Sequence, residues 1–316
     1  MRVLRHYDEF PPDLRGGAVA LGNFDGVHRG HQAVIQATRD AAAALPGDAP
    51  VGVMTFEPHP RRVFQPDLPP FALSTLRTKA RRIEAIGADF LYVQHFDAAF
   101  ASHAAEWFVE TVLVQGLGVR HVVIGEDYHF GRGRGGNAAL LKRMADSLAF
   151  GVTTVPPVHG PDGRVLSSTR ARQAIREGRV ADAAAVLGHP WEVEGRVEHG
   201  DARGRTIGFP TANLTLGEYI EPAAGVYAVR AGVDAGADTV WLDGVANYGR
   251  RPTFEAAHPL LEVHLFDFSG DLYGQHLRVQ LIGHLRPERK FNGLEALKAQ
   301  IAADAQAARQ MLSAKA

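Results

Sequence analysis

Gly22-Asn23-Phe24-Asp25-Gly26-Val27-His28-Arg29-Gly30-His31 closes the apolar run Ala18–Phe24 and leads into a stretch of helical spacing over His31–Leu45. Glycines 22, 26 and 30 let the backbone approach an anion closely, and the helix that follows offers N–H groups without intrahelical partners. His28 and His31 are three apart, so a helical first turn places them on one face. Two imidazoles beside a phosphate would donate hydrogen bonds to oxygens that gain charge in a transition state. The plain alternative is a tight turn whose histidines merely cap the helix. Strand, glycines, paired histidines and helix taken together favour the anion site.

Further along, Val51–Phe56, Phe90–Phe96, His121–Gly125 and Val152–Val158 read as strands, several of them nearly continuous apolar runs of the kind a parallel sheet buries on both faces. Helical patterns lie between them, over Ser74–Ile86, Ala104–Gly116 and Asn137–Phe150, with Ser74 and Asn137 as N-caps. Strand–helix repetition predicts a doubly wound α/β domain built on a parallel sheet. After Leu187 the rhythm changes. Glu192–Val197, Gly225–Val233, Thr239–Ala246, Leu260–Phe268 and Gln275–Leu285 read as strands between turns, and Phe266–Gly274 as a hairpin connection punctuated by Gly270 and Gly274. Gly293–Leu312 is alanine-rich with helical spacing. The expectation is a first domain over 1–186 and a second over 187–316, the latter a small β-barrel closed by a C-terminal helix, with the boundary near Leu187–Pro190.

At 316 residues, 46% hydrophobic and 22% charged, the chain reads as a folded protein of two domains. Lys and Arg number 34 against 35 Asp and Glu, a net charge of −1, which is no electrostatic footprint for nucleic acid. No apolar run has the length of a membrane span, and Met1–Phe10 lacks the apolar core of a signal peptide. The absence of cysteine excludes disulfides, thiolate zinc sites and cysteine nucleophiles. A cytoplasmic enzyme acting on small molecules, without membrane or nucleic-acid partners, is expected; the oligomeric state is not legible.

The segment Gly22–His31 resembles the HxGH nucleotidyltransferase superfamily, and specifically its FAD synthetase branch. Met54-Thr55-Phe56-Glu57-Pro58-His59-Pro60, Gly125-Glu126-Asp127-Tyr128-His129-Phe130-Gly131 and Ser167-Ser168-Thr169-Arg170 agree with it in order. The resemblance implies adenylyl transfer from ATP to FMN. His28 and His31 would be catalytic, and Gly22, Asn23, Phe24, Asp25 and Gly26, with Ser168, Thr169 and Arg170, would bind nucleotide; Asp127 would contact flavin. Ser168 and Thr169 also suit an ordinary N-cap. Gly131–Gly136 formally matches the dinucleotide pattern GxGxxG. It does not follow the first strand, and no acidic residue stands about twenty positions on, so an NAD site is rejected in favour of a basic or solvent loop.

A second cluster, Gly200–Asn213, is rich in glycine, cations and hydroxyls but has no P-loop spacing. Its Gly208-Phe209-Pro210-Thr211-Ala212-Asn213 resembles the riboflavin kinase family, as do Gly225–Tyr227, Gly244–Gly249, Arg251–Thr253 and Leu261-Glu262-Val263-His264. By that resemblance Gly208, Thr211 and Asn213 bind nucleotide, Thr211 and Asn213 hold Mg2+ with the ATP phosphates, Glu262 is the base and Asn247 meets flavin. Read alone, Pro-Thr-Ala-Asn is a plain turn and Glu262 an exposed alternate position. Two departures stand out: Arg250 in place of a smaller polar residue, and Tyr128-His129 beside Asp127. The whole implies a bifunctional enzyme of the riboflavin kinase and FMN adenylyltransferase type, with ATP as co-substrate and riboflavin, FMN and FAD as substrates or products. Two other classes stay open at this point: a nucleotidyltransferase for another phosphorylated metabolite, and a flavin-binding sensor.

Overall fold

The apolar runs of the first half form strands β2 (Ala18–Leu21), β3 (Val51–Glu57), β4 (Phe90–His95), β5 (His121–Gly125) and β6 (Gly151–Val155), joined by a short N-terminal β1 (Arg2–Leu4). All pair in parallel, in the order β1-β4-β3-β2-β5-β6. Successive side chains enter opposite cores: Val19 and Leu21 join Met54, Tyr92 and Ile124 on one face, while Ala20 joins Val53, Leu91 and Val123 on the other. Burial on both faces is what makes the runs read as continuous rather than alternating. The helices are α1 (Arg29–Ala43), α2 (Pro60–Phe64), α3 (Leu76–Ala85), α4 (Ala98–Ala101), α5 (Ala105–Trp107) and α6 (Ala138–Leu148). From β2 the chain steps to β3 and β4 on one side, then returns to β5 and β6 on the other. The crevice at the carboxyl ends of β2 and β5 is therefore the topological switch point, where such sheets bind ligands.

The computed structural model describes residues 1–199, 208–249 and 259–314. They fall into two units, Met1–Leu68 with Leu76–Ser167, and Pro69–Thr75 with Ser168–Ala316. The second begins with α7 (Ser168–Arg176) and α8 (Val180–Leu187) and continues through β7 (Trp191–Arg196), β8 (Ala212–Thr215), β9 (Gly225–Val233), β10 (Leu242–Gly249), β11 (Leu260–Leu265), β12 (His276–Pro287) and α9 (Leu294–Ser313). The strands pair antiparallel in the order β7-β12-β9-β10-β11-β8. A bridge in which Glu198 N–H donates to Asn213 O at 2.9 Å brings the two ends of that order together and nearly closes the barrel. Helix α9 packs Ala308 and Leu312 against Val226, Ala228 and Ile282, and Arg286 grips its buried Asp304 at 2.7 Å.

Two local expectations are corrected. Ala104–Gly116 is not one α-helix: a single α turn passes into π-helix over Phe108–Gly116. Its buried residues, Phe108, Val109, Val112, Leu113 and Gly116, repeat every four positions, which suits a wider turn than the 3.6-residue one. Phe266–Gly274 is not a hairpin, because β12 pairs with β7 and β9 rather than with β11. Strand β8, four residues long, and the short β1 went unread. Pro69–Thr75 also joins the second unit, where Ala72 pairs with Tyr219 and the Trp191 indole N–H donates to Leu73 O at 3.0 Å.

Candidate functional site

The loop from β2 to α1 leaves the sheet at the switch point. Its start is fixed by Gly22 N–H donating to Met54 O at 3.2 Å. Phe24 (φ +49°), Gly26 (φ +78°) and Val27 (φ +41°) then turn the chain through the left-handed region, and Val27 N–H closes on Phe24 O at 3.1 Å. Two of the three carry a Cβ, and such a conformation costs about 1–3 kcal/mol per residue unless its surroundings enforce it. His28 is the N-cap of α1: its Nδ1 accepts from Gly30 N–H at 3.1 Å and His31 N–H at 3.3 Å. With Nδ1 used as an acceptor, a neutral ring carries its proton on Nε2. The His28 and His31 rings stack with centroids 3.6 Å apart, and Phe24 packs on His31 at 5.1 Å. A Cβ on Gly30 would stand 3.0 Å from the His28 ring, close enough that the ring would have to shift to admit it. Gly22, Asn23, Phe24, Asp25, Gly26, His28 and His31 are thus brought together, with Asp25 and His28 buried.

Asp127 lies just beyond β5, the other strand of the switch point, and is exposed. Its carbonyl is bonded to His129 Nδ1 at 2.8 Å, so the Tyr128-His129 departure serves the loop's own geometry. Burial raises the Tyr128 pKa and keeps its phenol neutral, with the ring stacked near Phe130. The Gly131–Gly136 loop is pinched shut by paired hydrogen bonds between Phe130 and Gly136, and only a single turn, Arg132–Arg134, lies within it. That is not a dinucleotide turn. Ser168, Thr169 and Arg170 open α7 and so belong to the second unit.

An aromatic surface in the first unit was not anticipated. Phe96 meets Phe56 and Phe64 edge-on at 5.8 Å and Phe100 at the same distance, and His103 stacks on Trp107 at 3.6 Å. Phe64 is 65% exposed. The available signal was the recurrence of aromatics after β3 and β4.

In the second unit the strand register does the assembling. Glu262 on β11 stands opposite Asn213 on β8 and opposite Asn247 on β10. Residues paired across antiparallel strands share a face, so two amides flank one carboxylate. Leu261, Val263 and Leu265 point into the barrel, which leaves Glu262 and His264 half-buried on the other face. His264 Nδ1–H donates to Pro210 O at 2.8 Å, and its ring meets Phe209 edge-on at 5.5 Å. The segment before β8 is therefore fastened to the strand that carries Glu262. Asn213 is buried, and its Oδ1 has no hydrogen-bond partner among the described residues. An orphaned buried oxygen beside a hydroxyl residue, Thr211, fits a hard cation such as Mg2+. Gly208 is exposed with φ +88°. Glu288 was missed by the sequence reading: its carboxylate accepts from Asn247 Nδ2 at 3.5 Å, and a Cβ on Gly249 would collide with it. Gly200–Ile207 and Arg250–His258, which include the Arg250 departure and Arg251–Thr253, lie outside the described residues.

Comparison with known proteins covers both halves of the chain. A family model described as FAD synthetase matches residues 10–170, and one described as riboflavin kinase matches residues 187–312. The chain is 42% identical over 310 residues to the bifunctional riboflavin kinase/FMN adenylyltransferase of Escherichia coli K12, covering 98% of this chain and 96% of the relative. It is 41% identical over 298 residues to the Bacillus subtilis protein of the same name, covering 92% and 90%. Among solved structures it is similar to one from Streptococcus pneumoniae named a macrolide-efflux protein, with TM-score 0.86 and 33% identity, over 98% of this chain and 99% of that one. No helix among the described residues is long and apolar enough to cross a membrane.

Proposed function

The chain belongs to the family of bifunctional riboflavin kinase/FMN adenylyltransferases, and from that premise we propose how its residues divide the work. It is a kinase and nucleotidyltransferase that phosphorylates riboflavin to FMN with ATP and then transfers AMP from ATP to FMN, giving FAD and pyrophosphate. The first reaction is assigned to a domain over 187–316 and the second to a domain over 1–186. Both act on small molecules, and we place the enzyme in the cytoplasm, where its nucleotide substrate is made.

The observation that carries the kinase assignment is the register that sets Asn213 and Asn247 on either side of Glu262. Glu262 accepts the proton of the riboflavin 5′-hydroxyl as its oxygen attacks the γ-phosphorus of ATP. Asn247 orients the flavin, and Gly208 lets the backbone approach the nucleotide. Thr211 and Asn213 would hold Mg2+, which supplies charge compensation at the ATP phosphates when bound. Positioning and electrostatics dominate such phosphoryl transfers.

In the adenylyltransferase, the attacking group is the FMN phosphate, already an anion, so no strong base is needed. The loop Gly22–Gly26 surrounds the ATP phosphates. His28 donates from Nε2, and His31 stacks against it to fix its plane, so that charge growing on the α-phosphate oxygens meets a preset donor. Ser168, Thr169 and Arg170 bind the departing pyrophosphate, the guanidinium through two parallel hydrogen bonds. Asp127 and the aromatic cluster of Phe96 and Phe100, backed by the buried Phe56, face the flavin.

The test is to incubate the protein with riboflavin, ATP and Mg2+ and resolve the flavins by chromatography over time. FMN should appear first and FAD should follow with pyrophosphate, and chelation of the metal should stop FMN formation. FMN without FAD would remove the first-unit assignment, and supplied FMN converted without any riboflavin phosphorylation would remove the second.

A further inference from the structure

Thr55 and Lys79 sit beneath the phosphate loop, and neither has a role in the reaction as described so far. Thr55 is fully buried on β3, and its hydroxyl donates to Asn23 O at 2.9 Å. Lys79, on α3, is 2% exposed, and its Nζ donates to Thr55 Oγ1 at 3.2 Å and to Glu57 Oε1 at 3.0 Å. An ammonium has only donors, so a hydroxyl facing it must accept from it and turn its own proton elsewhere. Here the direction is settled: Lys79 to Thr55 to the Asn23 carbonyl. The chain of donors ends on the peptide that joins Asn23 to Phe24, the first residue of the loop forced to positive φ.

We propose that Lys79, acting through the Thr55 hydroxyl, is a positioning device that holds the Asn23–Phe24 peptide of the phosphate loop in its catalytic conformation. A Lys sealed in the interior of a sheet domain is rare unless it is paired. The pairing seen here includes a carboxylate that anchors the ammonium and a hydroxyl that passes its influence to the loop. A charge-assisted hydrogen bond is shorter and stronger than a neutral one, and in a chain it polarises the next. The carbonyl of Asn23 thereby receives a reinforced donor, and the amide on the other side of the same peptide, Phe24 N–H, becomes the better donor to an anion. The Thr55 contact also restrains the backbone on the entering side of a turn that the bond from Val27 N–H to Phe24 O helps close.

The inference rests on the adenylyltransferase reading of this loop. The two fail differently: a wild-type protein that makes no FAD defeats the reading, whereas an active wild type with indifferent variants defeats only the inference. The experiment uses the full chain and compares Thr55→Val, which keeps shape and deletes the hydroxyl, Thr55→Ser, which keeps the hydroxyl, and Lys79→Met. FAD formation from supplied FMN is measured for kcat and for the KM of ATP and FMN, and riboflavin phosphorylation serves as the internal control. Expected are a fall in kcat of at least about tenfold for Thr55→Val and Lys79→Met, KM values within about threefold and kinase activity unchanged. Thr55→Ser should recover most of the rate, and the double variant Thr55→Val with Lys79→Met should be little worse than the poorer single one, because both cut one chain. FAD synthesis by Thr55→Val within twofold of wild type would overturn the inference. So would failure of Thr55→Ser to recover, or loss of turnover together with loss of the first unit's unfolding transition, which would leave the trio a role in stability alone.

Discussion

Asn213 stands directly opposite Glu262, one on β8 and the other on β11, although the two belong to motifs far apart in the chain. Their side chains share one face, and Asn247 extends the row on the next strand. No loop has to close for these three groups to meet, because strand register alone places them.

Glu262→Gln keeps the size and planarity of the side chain but cannot accept a proton at neutral pH. Riboflavin phosphorylation should slow by roughly a hundred- to ten-thousandfold, with little change in the KM for ATP. FAD formation from supplied FMN should continue. A folded variant with near wild-type FMN production would exclude Glu262 as the base.

His28→Ala or His31→Ala should lower FAD formation by about a hundredfold or more, while FMN formation stays near normal. Gly30→Ala offers a subtler probe, since the new methyl would press on the His28 ring at 3.0 Å. It should impair FAD synthesis without touching a charged group, and an equal fall in both activities would point to general damage instead.

The kinase should work apart from the rest of the chain. Fragments beginning at Leu187 and at Ser168 should both phosphorylate riboflavin and both fail to make FAD. The longer one should melt at the higher temperature, because it retains α7 and α8, whose Ala174, Ile175, Val180, Ala183 and Val186 are buried. Equal melting temperatures would mean that these helices contribute nothing to the second unit.

His284, on β12, has its pKa lowered by burial, and its Nε2 has no hydrogen-bond partner among the described residues. In the unfolded chain the ring protonates below about pH 6.5, while the folded protein resists the proton. The unfolded state then binds more protons, so stability must fall as pH drops below that value and level off above it. Denaturant midpoints between pH 5 and 7.5 should show this slope in wild type and a shallower one in His284→Gln. Parallel slopes would remove His284 as its source.

The first unit was legible because its strands are buried on both faces and its phosphate loop is written in consecutive residues. His28, Gly30 and His31 act within one turn, so spacing suffices to join them. In the barrel, by contrast, Glu262 and Asn247 gain their meaning from pairing across strands, which no local pattern reveals; only the resemblance joined them. Strand β8 is too short to show alternation, and Pro69–Thr75 carries no sign that it joins the second unit. Lys79 reads as one more helix cation, since nothing local reports that its ammonium is enclosed. Glu288 was hidden for another reason: it follows a strand end and meets Asn247 only through the fold.

The bridge from Glu198 to Asn213 gives the barrel a seam, and the residue on its far side is the one assigned to the metal and ATP phosphates. With Asn213 holding the metal and ATP phosphates as proposed, occupancy of the kinase site and closure of the barrel should be linked equilibria, each favouring the other by the same factor. A nucleotide bound there would restrain β8 and shield the Glu198 amide, which donates to Asn213 O, from solvent. Slower hydrogen exchange at that one amide on addition of ATP and Mg2+ would then report kinase occupancy from outside the chemistry itself.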